Sequence, residues 1–143
     1  MSDPSADADL LDRPVPQANH IAWQIGHLID AESKLLSQVP GAASPPLPAG
    51  FSQQHSKETA GAESTKGFLT KNEYLKLFNQ QREHTIGVVA KLSDADLDKP
   101  STGPLAKFAP TIGALLLLIS NHTMMHGGQF VTLRRKLGKP ILM

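Results

Sequence analysis

Three long segments of this chain carry apolar residues at helical spacing, and no stretch alternates convincingly with period two. A chain patterned in this way must bury helix stripes against helix stripes, which predicts an all-α fold, an antiparallel helical bundle. The first segment runs from about Asn19 to Gln38 through Ile21, Ile25, Leu28, Leu35 and Val39, and Pro40-Gly41 ends it. The second opens at "TKNE", where Thr70 and Glu73 have the spacing of a capping box, and continues through Tyr74, Phe78, Val88, Val89 and Leu92. The third starts near Thr111, after Pro110, and runs to about Leu137. Gly138 and Pro140 close it, and Arg134, Arg135 and Lys136 suit the negative end of its dipole.

The length of 143 residues fits a single helical-bundle domain. Residues 40–69, rich in Pro, Gly, Ala and Ser, form a long crossover of the kind that serves as a functional flap or a partly mobile connection. An internal echo bears on the architecture. "ADADLLDRP" (Ala6 to Pro14) resembles "SDADLDKP" (Ser93 to Pro100), and each precedes a histidine-bearing segment. A long helical segment comes before the second copy, but only a handful of residues before the first. Taken as a pseudo-repeat, the pattern implies four helices and supplies three, with residues 1–15 in place of a full first helix. Three helices of a four-helix bundle leave an apolar groove, so the expected state is a homodimer or a swapped pair, or else a shortened chain of low stability.

Composition narrows the function. With Cys 0, disulfides and thiolate metal sites are excluded, and any metal must be held by nitrogen and oxygen. Lys+Arg 14 against Asp+Glu 13 gives no basic surface that argues for nucleic acid. The acidic, polar start "MSDPSADADLL" is unlike a signal peptide, and the run "LLLLI" at 115–119 is too short to span a bilayer. The expectation is a cytoplasmic protein that meets neither membrane nor nucleic acid.

The chemistry concentrates on histidines. His122 and His126 stand four apart on the third segment, hence on one helix face, as two imidazoles sharing one cation require. His27 sits centrally on the first segment. Gly26 precedes His27 and Gly127-Gly128 follow His126; helix-interior glycines cost about 1 kcal/mol each, so they imply close helix approach or room for a ligand. Trp23, Met125 and Gln129 lie a turn from these histidines and would line or close a pocket, although Trp23 and the pair Met124-Met125 also suit core packing. His20 reads as solvent-facing, His55 as a loop residue able to cover a site, and His84 as a fourth ligand or a supporting group.

"NHIAWQIGHLI", "SDADLDKP" and "NHTMMHGGQFVTLRRKLGKPIL" together resemble the DinB-like superfamily of four-helix-bundle metal proteins, over about Ala8 to Met143. That pattern is W-x-x-G-H-L on one helix, then H-x-x-x-H-x-G-Q followed by R-R-x-L-G-K-P on the last. The resemblance implies three histidine ligands, matching His27, His122 and His126 here, for a divalent ion such as zinc or nickel, and frequent homodimers. Some relatives are transferases using low-molecular-weight thiols such as mycothiol or bacillithiol. The family's first helix should precede "ADADLLDRP" and is missing or reduced here. A metal-dependent thiol S-transferase is therefore the leading expectation. The alternatives are a metal-dependent hydrolase, with Asp30 as its general base, and a non-catalytic bundle whose metal clamps two helices.

Overall fold

The computed structural model describes residues 4–141, and the chain ends beyond them, including the start of the 1–15 segment, lie outside the described residues. Six α-helices follow in order: α1 (Pro4–Leu11), α2 (Ile21–Leu36), α3 (Phe51–Gln54), α4 (Lys71–Val89), α5 (Asp94–Leu97) and α6 (Ile112–Lys136). A short 3₁₀ turn, Lys57–Thr59, sits between α3 and α4. No strand occurs among the described residues, only an isolated bridge between Pro100 and Thr111. The three periodic segments are α2, α4 and α6.

Local chemistry sets the helix ends. At α4 the Thr70 hydroxyl accepts from the Glu73 amide, and the Glu73 carboxylate accepts from the Thr70 amide at 2.8 Å, closing the box read from sequence. Ser93 and Asp96 repeat the device at α5. The end of α6 is a Schellman turn: the Lys139 amide donates to the Arg134 carbonyl and the Gly138 amide to the Arg135 carbonyl. Gly138 adopts φ 64°, a left-handed conformation that glycine reaches without strain. The cap of α2 was not foreseen. His20 accepts from the Trp23 amide through Nδ1 at 3.1 Å and is 2% exposed, which corrects its solvent-facing assignment.

α2 is the central helix. It packs against α4 on one side and α6 on the other, whereas the backbones of α4 and α6 stand further apart and are bridged by side chains. Leu35, Leu36 and Val39 meet Ile112, Leu115 and Ile119 in one apolar cluster. Ala22 and Ile29 meet Leu10 of α1, Phe51 and Tyr74 in another. Between α4 and α6 a cleft of about 300 Å³ is lined by Arg82, Ile86, Val89, Leu116 and Ile119, the corner a fourth long helix would fill. Arg82 reaches across it, donating to Glu32 at 2.8 Å and to Thr123 at 2.9 Å. The two halves of the acidic echo occupy comparable places, α1 packing on α2 and α5 on α6. Lys136 and Lys139 pair with Asp12 and Asp9, which fastens the N-terminal segment to the end of α6.

The crossover is built rather than loose. The His55 ring is fully buried, donating from Nδ1 to the Phe51 carbonyl at 2.8 Å and accepting the Tyr74 hydroxyl at Nε2, also at 2.8 Å. It fills the space left by Gly26, where a Cβ would fall 2.1 Å from the ring. Close approach therefore explains Gly26, and what approaches is a loop side chain. Gly127 and Gly128 have nothing within 4 Å of a Cβ position, so helix approach within this chain does not explain them.

Candidate metal centre

α2 and α6 cross so that His27, His122 and His126 converge, each offering a ring nitrogen, with all three atoms within 4.8 Å of one another. His27 and His122 meet edge to face at 5.1 Å between ring centroids, and His122 and His126 lie 4.9 Å apart. The spacing of four on α6 aligns the latter pair, and the α2–α6 packing delivers the third.

Two rings have their tautomers fixed by hydrogen bonds. Nδ1 of His27 lies 3.3 Å from the His55 carbonyl oxygen. A carbonyl only accepts, so Nδ1 carries the proton and Nε2 keeps its lone pair. Nδ1 of His126 lies 2.9 Å from Gln24 Oε1. The Gln24 amide is oriented in turn, its Nε2 donating to the Asn19 carbonyl at 2.8 Å, so Oε1 must be the acceptor. Both arrangements leave Nε2 free, in the manner of groups that hold a ligating imidazole from behind. Trp23 stacks on His27 at 4.9 Å and 9° between planes, and donates to the Thr59 hydroxyl at 3.0 Å. Trp23 is thus buried packing that fixes one face of His27.

Burial keeps the rings neutral. Desolvation pushes His126 down to about 4, aided by the neighbouring His122 and His27. Desolvation lowers His122 as well, with His27 contributing. For His27 desolvation again dominates, partly opposed by the His55 carbonyl and by Asp30. Neutral imidazole is the form that ligates a cation, so the donor set fits a divalent ion.

The other sequence candidates fall elsewhere. Asp30 is not free to act as a base: Lys34 donates to its Oδ2 at 2.6 Å and Ser52 to its Oδ1 at 2.6 Å. Met125 is 55% exposed and Gln129 is exposed too, so neither closes the site. Met125 is turned about 60° from His122 and about 100° from His126 around α6, whereas Gln129 shares their face and lies about two turns beyond His122. Met124, 74% exposed, is likewise not core. His84 lines a separate cavity with Lys91 and Asp96 and stands outside the cluster. His55 supports the site only through its carbonyl.

Sequence reasoning missed Gln24, Asn19 and Thr59 as supports, and read His55 as a cover for the site rather than as the carbonyl behind His27. Gln24 and His126 are 102 residues apart, and a contact at that separation leaves no local signature.

One side of the cluster is open. A cavity of about 360 Å³ adjoins His27 and His122, walled by Ala31, Leu35, Leu105 and Leu118, with Lys34 and Lys57 also lining it. No helix among the described residues is long and apolar enough to cross a membrane.

Fold and site together define an α-helical bundle protein with a three-histidine cluster able to hold a metal ion. The family model of the DinB superfamily matches residues 3–130, and the chain belongs to that superfamily. No curated protein matches the chain, and no solved structure does.

Proposed function

We propose that this protein is a metal-dependent transferase that activates a low-molecular-weight thiol at His27, His122 and His126. One observation carries the proposal: three neutral imidazoles converge with no fourth protein ligand among the described residues, beside an apolar cavity. An all-imidazole donor set suits zinc or nickel, and a bound ion of this kind lowers the pKa of a thiol toward neutrality. The chain's residues divide the remaining tasks. Gln24 and the His55 carbonyl aim two ligating nitrogens, Trp23 holds the His27 ring in plane, and the cavity walls exclude water around a substrate. With Cys 0 the chain has no sulfur nucleophile of its own, so the thiol comes from solution, as it would in a reducing cytoplasm.

The hydrolytic reading loses its support with Asp30, whose two oxygens are both occupied. The proposal extends to a homodimer in which a second copy covers the α4–α6 corner. Ile86 and Val89, both lining that corner and 60% and 42% exposed, support this.

The test loads the purified protein with zinc or nickel and supplies an electrophile with glutathione, mycothiol or bacillithiol. Conjugation that needs both the ion and the thiol supports the proposal. A loaded protein that accelerates none of the three reactions would point to an ion that only clamps α2 to α6.

A further inference from the structure

The cavity beside His27 and His122 has a charge bias that the thiol chemistry alone does not explain. Leu35, Leu105 and Leu118 make it apolar, and among the described residues the Lys and Arg side chains that line it are Lys34 and Lys57. No Asp or Glu among the described residues lines it. Lys34 is partly neutralised by Asp30 at 2.6 Å, whereas Lys57 makes no ion pair among the described residues. The adjacent Glu58 is engaged first by the Ser56 hydroxyl and only weakly by the two lysines. The two ammonium groups come from different elements: Lys34 stands on α2, nearly two turns beyond His27, and Lys57 on the 3₁₀ turn of the crossover. An open apolar wall between an ion-binding cluster and an unpaired cation matches a molecule with an apolar body and an anionic end.

We infer that this cavity selects substrates carrying a carboxylate or similar anion on an apolar body, with Lys57 as the specificity-determining residue. The inference rests on the thiol-transfer proposal for what reacts, but the charge preference is a property of the cavity and can be read without any reaction. An exposed ammonium contributes modestly, so the expected discrimination between an anion and its neutral analogue is about fivefold.

Trp23 is the single tryptophan and stacks on His27, so its fluorescence reports occupation of the cavity. The experiment titrates the zinc-loaded full chain with hexanoate, 1-hexanol and hexylamine. Hexanoate should half-saturate the signal at about fivefold lower concentration than hexanol, with hexylamine weakest, and added salt should weaken hexanoate alone. In Lys57→Ala the hexanoate advantage should disappear, and in Lys57→Glu hexylamine should overtake it. Equal binding of hexanoate and hexanol overturns the inference. So does a hexanoate preference that survives in both variants, because the carboxylate would then be held by the ion or by Lys34. Conjugation assays with 6-mercaptohexanoate and 6-mercaptohexanol separate the two readings. If the Lys57-dependent preference holds but neither thiol is consumed, the cavity assignment stands and thiol transfer falls. If both thiols react equally well and Lys57→Ala changes nothing, transfer stands and the charge selection falls.

Discussion

Gln24 touches no substrate cavity, yet it decides which nitrogen His126 presents. Replacing it by leucine removes the acceptor at Nδ1 and frees the ring to flip or change tautomer. Zinc affinity, measured by chelator competition, should fall about 10–100-fold in Gln24→Leu and recover substantially in Gln24→Glu, which restores an acceptor. Unchanged affinity in the leucine variant would mean that the ring is held by packing alone. Gly26 is constrained differently, by the His55 ring that a Cβ would strike. Gly26→Ala should cost about 1–3 kcal/mol in urea unfolding, because the displaced ring has a fully packed site and two hydrogen bonds to lose. His20 supplies a pH dependence. Burial holds it down at about 4 against an ordinary 6.5, so the unfolded chain takes up its proton first as pH falls. Stability of the metal-free protein should be level above pH 7 and decline between about 6.5 and about 4. His20→Asn, which keeps an oxygen for the cap, should make that decline shallower. An identical profile in the variant would remove His20 from the account.

The long helices were legible because their determinants are local: the apolar spacing, the Thr70–Glu73 box, and the Gly138 terminator after three basic residues. The histidine pair of α6 was legible for the same reason. What the sequence hid depends on partners far along the chain. The crossover 40–69 reads as loose by composition, but His55 anchors it between Phe51 and Tyr74, and its carbonyl and Thr59 then reach the metal-site face of α2. Gly26 reads as a site of close helix approach or of ligand room because its neighbour is His27, whereas what approaches it is a loop side chain 29 positions further on, His55. Met124 and Met125 looked like core because methionine packs well, but the α6 face that carries them has no neighbouring helix. Tyr74→Phe isolates the anchor: it leaves His55 Nε2 buried without a donor and should cost about 1–3 kcal/mol. Protease cleavage within 40–69 should accelerate in step. Wild-type resistance to cleavage in that variant would place the anchor elsewhere.

Across the bundle, one ion pair stands in for missing helix contact. Glu32 is buried on α2 and is held by Arg82 and by the Thr85 hydroxyl at 2.6 Å, while Arg82 also reaches Thr123 of α6. Arg82→Leu would strand that carboxylate and should destabilise the chain by about 3 kcal/mol, partly relieved in the double variant with Glu32→Leu. The same corner bears on assembly. Light scattering should give twice the 15.4 kDa chain mass at micromolar concentration, and charged substitutions at Ile86 and Val89 should return the monomer.

The proposed thiol chemistry depends on the three imidazoles holding an ion. Elemental analysis of the purified protein beside His122→Ala tests this most directly. The account predicts a single zinc or nickel ion per wild-type chain and its loss from the variant, with both proteins folded by circular dichroism. Wild-type protein that carries no more metal than the folded variant, even after dialysis against zinc or nickel, would contradict it.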